Sequence, residues 1–482
     1  MSRVSSSTSS RVWTPRPDQE LVNRWLEPRD DGAVWCGAGS GKTAMAATWL
    51  HRLLYDAFRA RRAAIVAPPI VAREGWPYQL ALWEHLAPMA ADLRVVDFPD
   101  LDLTKPTKTA PVSFRDKRAT KKRLQSYDER VHVMPWDVFV WAAKAYGTNW
   151  PFDALVLDES SFLRDQDSER SKAVYHVTRR VKEPVRFQLQ LAATPNANHD
   201  EAVWNQIDLL RPKHLGETLT QFRETFCIPD RTNRATGQVY SWKIAPSMRA
   251  AYQQLVAECA ISLPESLGIE VLPVEHQLPF SDGVREVYDA LARDWVALDG
   301  QVTCGSAAVL HLKLRQLSSG FLYDDKEQAH WFDQLKLDKV EELVETIGKP
   351  VLVAHAFIPE AEALRARFGK HYRDIREPGA KAAFEAGKLQ MLGVHPASAG
   401  HGVDGLQGAS NHIIWTTVPE DAELWAQTNG RLKRPGQEAD TVFAHVVVRN
   451  DTRENEVWNE VLPGKLTISE LLLRSCRPDS QK

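Results

Sequence analysis

The run Val34-Trp35-Cys36-Gly37-Ala38-Gly39-Ser40-Gly41-Lys42-Thr43 constrains this chain more than any other. An apolar stretch enters a glycine-rich turn, and an Ala-rich helical stretch leaves it. Glycines let a backbone curl until several N–H groups point at one anion, at the positive end of a helix. Strand, turn and helix start together form the context that a phosphate-binding loop needs. On this reading Gly37, Gly39, Ser40 and Gly41 cradle phosphates, and Lys42 reaches the β- and γ-phosphates of ATP. Thr43 offers its hydroxyl to Mg²⁺. The strict pattern asks for Gly at position 36, where this chain has Cys, which is small enough for the turn.

A second constellation follows at Ala154-Leu155-Val156-Leu157-Asp158-Glu159-Ser160-Ser161. An apolar strand ending in adjacent carboxylates is common by itself. Downstream of a phosphate loop it reads as the other half of a nucleotide site. Asp158 at the strand tip would hold Mg²⁺, and Glu159 would orient and deprotonate the attacking water.

The rest of the chain repeats an α/β rhythm. Ala63–Ala67, Ala154–Leu157 and Phe187–Ala192 are short apolar runs bounded by Pro, Asp or Thr, and Val351–Ala354, Leu389–Val394, His412–Thr417 and Thr441–Val448 repeat the theme. An amphipathic helix is expected at Ala361–Phe368. Strands alternating with helices argue for mostly parallel sheets covered on both faces. At roughly 150 residues per domain, 482 residues make about three units. The expected division is a disordered Ser-rich tail over 1–12, one α/β lobe over 13–200, a mainly helical stretch over 201–335 and a second α/β lobe over 336–475.

Charge and cysteine usage narrow the classes. Lys and Arg number 60 against 63 Asp and Glu, so any grip on nucleic acid must be local. The segment Lys105–Arg123 is the one strongly basic run, and it reads either as a solvated loop or as an arm on a phosphate backbone. Cys36, Cys227, Cys259, Cys304 and Cys476 are scattered without a Cys-x-x-Cys pair, which argues against a zinc site and a disulfide framework. No apolar run approaches the roughly 20 residues of a membrane span, and the N-terminus lacks the apolar core of a signal peptide. A cytoplasmic location is expected. The tryptophans read as core packing. The histidines lack ligand spacing, so no protein-held metal is expected beyond Mg²⁺ with ATP.

Further segments, taken in order, carry a resemblance. Arg16-Pro17-Asp18-Gln19 precedes the loop; Ile65-Val66-Ala67-Pro68 with Trp76, and Leu191-Ala192-Ala193-Thr194-Pro195, follow it. The second half adds Leu314-Arg315-Gln316, Lys336-Leu337-Asp338, the run 351–357, the glycine-rich run 398–406 and the run 427–437, Gln-Thr-Asn-Gly-Arg-Leu-Lys-Arg-Pro-Gly-Gln. Over about residues 13–460 the chain resembles the superfamily-two helicases and translocases, specifically their Swi/Snf-like branch and its small bacterial or phage-type members. The run 427–437 is the most branch-specific part.

That resemblance implies two tandem RecA-like P-loop lobes with a helical insertion between them, and a DNA-dependent ATPase that moves along double-stranded DNA. It assigns Gln19 to adenine, Gly402 and Asp404 to the nucleotide, and Leu191–Pro195 to the link between hydrolysis and lobe movement. Arg431 and Arg434 become arginine fingers, planar cations that stabilise charge on the transferring phosphoryl group. The chain departs from the family at Ala192, where a hydroxyl is expected, and at Ser161, which often is His; both departures weaken coupling contacts. A strand-separating helicase, or the motor subunit of a restriction system, would use the same motifs. A non-hydrolysing, nucleotide-gated binding protein would not need the full set.

Overall fold

The computed structural model describes residues 10–37, 39–97, 121–122, 124–195, 200–232, 236–263, 268–399 and 405–478. The chain divides into two compact units, Met1–Ser266 with Ile468–Lys482, and Leu267–Thr467.

The first unit carries β1 (Asp31–Trp35), β2 (Ala63–Ala67), β3 (Leu93–Val95), β4 (Val131–Pro135), β5 (Ala154–Asp158), β6 (Phe187–Ala192), β7 (Cys227–Thr232), β8 (Val239–Ile244) and β9 (Ala260–Ser262). Seven of these form one sheet in the order β3-β4-β2-β5-β6-β1-β9. Each neighbouring pair is parallel. Every residue of β2, β4 and β6 is buried, as in a strand covered on both faces. Helices Pro17–Leu26, Lys42–His51 and Trp76–Leu82 close one face through Val22, Met45, Leu50 and Trp76. Helices Trp136–Tyr146 and Glu169–Arg179 close the other through Trp136, Phe139 and Val174. Only β6 separates β1 from β5, so the glycine-rich loop and the carboxylate pair leave the same edge of the sheet.

The second unit carries β10 (Glu270–Leu278), β11 (Val296–Ala297), β12 (Val302–Thr303), β13 (Phe321–Tyr323), β14 (Ala329–Trp331), β15 (Val351–Ala354), β16 (Tyr372–Asp374), β17 (Met391–Val394), β18 (His412–Trp415) and β19 (Thr441–Arg449). Its sheet runs β10-β19-β18-β15-β17-β16, parallel throughout. Fully buried Lys336 donates to Glu454 at 2.7 and 2.8 Å and to the Thr416 carbonyl at 2.5 Å, tying the helix Leu335–Ile347 to the end of β18. Removing one member of such a pair typically costs about 3–5 kcal/mol, because the other charge is left buried. The fold class is therefore α/β with two tandem parallel-sheet lobes of the expected RecA-like kind.

Four expectations need correction or placement. The stretch 201–335 is not a mainly helical insertion. Its first part belongs to the first unit, because Trp204, Phe222 and Tyr252 bury against Trp35 and β9 pairs with β1. Within that part β7 and β8 form an antiparallel hairpin. The later part adds β10 to the second sheet, beside helices Asp282–Asp294 and Ala307–Ser318. At the C-terminus Leu472 and Cys476 return to the core of the first unit, so the second lobe does not run to 475. The tail expected over 1–12 lies outside the described residues through Ser9, but Arg11 is already fixed, its N–H donating to the Leu82 carbonyl at 2.7 Å. Of the basic segment Lys105–Arg123, only Lys121 and Lys122 are described, and both are exposed. No described helix is long and apolar enough to cross a membrane.

Candidate nucleotide site

The loop after β1 is shaped by its glycines. Gly39 and Gly41 stand at φ +75° and +87°, a region where a Cβ is strained. At Gly41 a Cβ would also stand 2.3 Å from Gln19 Nε2. Gln19 itself is buried, and its Nε2 donates to the Ser40 carbonyl at 2.9 Å while Oε1 accepts from the Arg16 N–H at 3.0 Å. Arg16 Nη2 donates to the same Ser40 carbonyl at 3.0 Å. The structure thus places the Arg-x-x-Gln element on the loop itself, clamping Ser40 from outside. Nothing local in the sequence announces the Arg16 contact.

Lys42 and Thr43 open the helix Lys42–His51. The Lys42 ammonium donates to the Cys36 carbonyl and, at 3.1 Å, to that of Gly37. Burial pushes the Cys36 thiol up to about 11, so a neutral side chain sits beside the lysine. Ser40 Oγ is buried with no hydrogen-bond partner among the described residues.

Asp158 is gripped from two sides. Trp76 Nε1 donates to its Oδ2 at 2.9 Å, and Trp136 Nε1 donates to its backbone carbonyl at 3.0 Å. Both indoles are essentially fully buried, so they pack the core as expected and also aim the carboxylate. Burial pushes the Asp158 carboxyl up, while the Trp76 hydrogen bond and the Lys42 charge pull the other way. Glu159 adopts the left-handed conformation, φ 62° and ψ 56°. That geometry costs a side chain roughly 1–2 kcal/mol, and such strain gathers at functional turns. Ser161 Oγ donates to Glu159 Oε1 at 3.0 Å, so the residue at the family's His position holds the neighbouring carboxylate.

Arg431 and Arg434 belong to the second unit. The helix Ala422–Asn429 is capped by Asp421, whose carboxylate accepts from the Glu423 N–H at 2.8 Å. Trp425 stacks on Trp415 at 4.9 Å, and Trp415 Nε1 donates to Asn429 at 3.2 Å. The chain then folds back through Gly430, and Arg434 Nε donates to the Gly430 carbonyl at 3.0 Å. Gln437 Nε2 secures the turn on the carbonyls of Ser410 at 2.9 Å and Leu432 at 3.2 Å. Arg431 is 4 % exposed. Burial lowers the Arg434 guanidinium to about 10, where it keeps its charge at neutral pH. Gly402 and Asp404 lie outside the described residues; their neighbour Gly405 is tied to the arginine turn through Gln407, which donates to the Pro435 carbonyl at 3.2 Å.

The first unit therefore brings Gln19, the loop 37–43, Asp158 and Glu159 to one edge. This donor set fits a magnesium–nucleotide. Asp158 is a half-buried carboxylate pushed up by desolvation, a state that a nearby cation relieves, and carboxylate and hydroxyl oxygens suit a hard cation. Ser40 Oγ is an orphaned donor within the cradle. Glu159→Gln is expected to bind Mg-ATP with affinity within a few fold of the wild type and to lose about 10²–10⁴-fold in turnover. Equilibrium binding beside phosphate release checks this; loss of binding as well would show that the two carboxylates do not divide the work.

These features define a two-lobed P-loop α/β protein, and in its motifs it is similar to the Swi/Snf-like ATPases of helicase superfamily two. No protein-family model matches the chain. It is 26% identical over 490 residues, covering 97% of this chain and 99% of the other, to the "Putative protein p41" of Acyrthosiphon pisum secondary endosymbiont phage 1. It is 20% identical over 343 residues to the "Uncharacterized ATP-dependent helicase YqhH" of Bacillus subtilis (strain 168), covering 63% of this chain and 57% of that protein. Among solved structures, a Sulfolobus solfataricus SWI2/SNF2 ATPase core in complex with dsDNA aligns over 98% of both chains at 12% identity and a TM-score of 0.42.

Proposed function

We propose that this chain hydrolyses ATP and uses the energy to move along double-stranded DNA in the cytoplasm. One observation carries the ATPase half: Lys42 and the Trp76-held Asp158 lie at one sheet edge, with Glu159 strained beside them. Lys42 and the loop N–H groups bind the phosphates, and Gln19 with Arg16 fixes the loop that presents them. Thr43 and Asp158 would hold Mg²⁺, which when bound supplies positive charge to the phosphate oxygens. Glu159 orients the attacking water and takes its proton. The motif resemblance adds Gly402 and Asp404 as nucleotide residues and Arg431 and Arg434 as arginine fingers, planar cations that stabilise charge on the transferring phosphoryl group.

The DNA half rests on the motif resemblance, above all the run 427–437, and on the helicase name of one relative. Movement along a duplex needs only alternating grips on backbone phosphates, which helix N-termini and basic side chains supply. Double-stranded DNA is expected to stimulate phosphate release. A triplex-displacement assay should show ATP-dependent release of the third strand while a forked duplex stays paired. Unwinding without displacement would make the chain a strand-separating helicase, and stimulation by RNA alone would overturn the DNA assignment.

A further inference from the structure

The helix Ala202–Leu210 carries a glutamine where its neighbours Trp204, Ile207 and Leu209 are all buried apolar groups. Gln206 is fully buried. A buried primary amide is retained at a cost unless its hydrogen bonds are made, and here they are. Ser160 Oγ donates to Gln206 Oε1 at 3.1 Å. Gln206 Nε2 donates to the carbonyls of Pro195 at 2.8 Å and Ala202 at 3.0 Å. Its backbone carbonyl accepts from Gln190 Nε2 of β6 at 2.9 Å.

Ser160 directly follows strained Glu159, and Pro195 closes the run Leu191–Pro195 that leaves β6. One amide therefore bridges the carboxylate turn and that second turn, both within the first unit. At the two positions where the resemblance leads one to expect coupling contacts, this chain has Ala192 and Ser161. Ala192 has no hydroxyl to give, and Ser161 is spent on Glu159. Both ends of the Gln206 amide are hydrogen-bonded, and packed interiors shift between discrete arrangements rather than through a continuum, so displacement of one turn must be felt at the other.

We propose that Gln206, acting with Ser160, is a positioning residue: it holds the Glu159 turn in register and passes the nucleotide state to the Leu191–Pro195 turn. This rests on the ATPase reading above. The test uses Gln206→Met, which keeps the volume without the amide, Ser160→Ala, and the double variant.

Ser160→Ala is expected to lower kcat by about tenfold, the size of one buried hydrogen bond, and Gln206→Met, which removes that bond and two more, by at least as much, with KM for ATP within twofold in both. The double variant should lose no more than the larger single, because both act through one bridge. Hydrogen exchange at 191–195 should change when Mg-ADP binds the wild type, and that change should vanish in all three variants. Thermal melts within a few degrees of the wild type separate positioning from folding. Unchanged kcat in Gln206→Met, losses that add in the double variant, or an undiminished nucleotide-dependent exchange would each overturn the proposal. A wild type that binds Mg-ADP but never turns over ATP would fail the ATPase reading instead, and the exchange measurement would still judge the bridge.

Discussion

Lys42→Ala is expected to reduce ATP hydrolysis to background and to weaken nucleotide binding at the same time. The first loss is direct. Lys42 is the mobile cation of the loop, now held by the carbonyls of Cys36 and Gly37, and it is the group able to follow charge onto the leaving phosphates. The second loss runs through Asp158. Burial raises that carboxyl and the Lys42 charge lowers it, so deleting the lysine raises it further. A larger share of Asp158 is then protonated at any given pH, and a protonated carboxyl is a poor magnesium ligand. The deficit in Mg-nucleotide binding should therefore widen as pH falls. Phosphate release with fluorescent-nucleotide titration at two pH values reads both effects, and an unshifted melt shows that the loop still folds. Wild-type turnover in this variant would end the phosphate-loop assignment.

Much of this was legible in the chain because short apolar runs have few other uses. Phe187–Ala192 and Val351–Ala354 form strands over the residues expected. His412–Thr417 ends early, at Trp415, because the Thr416 and Thr417 hydroxyls turn to the Ala354 carbonyl and Glu360. β10 escaped notice for a physical reason. Its sequence, EVLPVEHQL, is charged, largely exposed and carries Pro273 mid-strand, a composition that only an edge strand tolerates. β4 hid behind Asp128-Glu129-Arg130 and a histidine; burial lowers His132 to about 4, so it packs on Phe152 as a neutral ring.

The site divides the same way. The loop and the carboxylate pair are local patterns and can be read from spacing. The indole of Trp76 on Asp158, the guanidinium of Arg16 on Ser40 and the Ser160–Gln206 bridge join residues far apart in sequence, and their types also serve as core or surface. Trp76 shows the limit best. Its apolar bulk announced burial, but the one polar atom on its ring meets the Asp158 carboxylate only because β2 and β5 are sheet neighbours.

The second large effect is expected at the arginines. Arg431→Ala and Arg434→Ala should each keep ATP affinity within a modest factor and lose about 10³-fold or more in kcat. The run 427–437 motivates this, and the local structure sharpens it. Arg434 is braced by its own Nε on the Gly430 carbonyl, which fixes the orientation of the planar cation. Arg431 is almost wholly buried within its lobe, so its loss also has a structural reading that must be separated. Arg431→Lys does so. It keeps a positive charge and much of the packing while removing the planar fork that matches phosphate oxygens. A finger should lose most of its kcat in the Lys variant with the melt barely moved. A purely structural arginine should lower the melt in the Ala variant and leave kcat per folded molecule intact. Unchanged kcat in both Ala variants would mean that the second lobe does not complete the hydrolytic site, and the chain would then work as a nucleotide-gated binder rather than a motor.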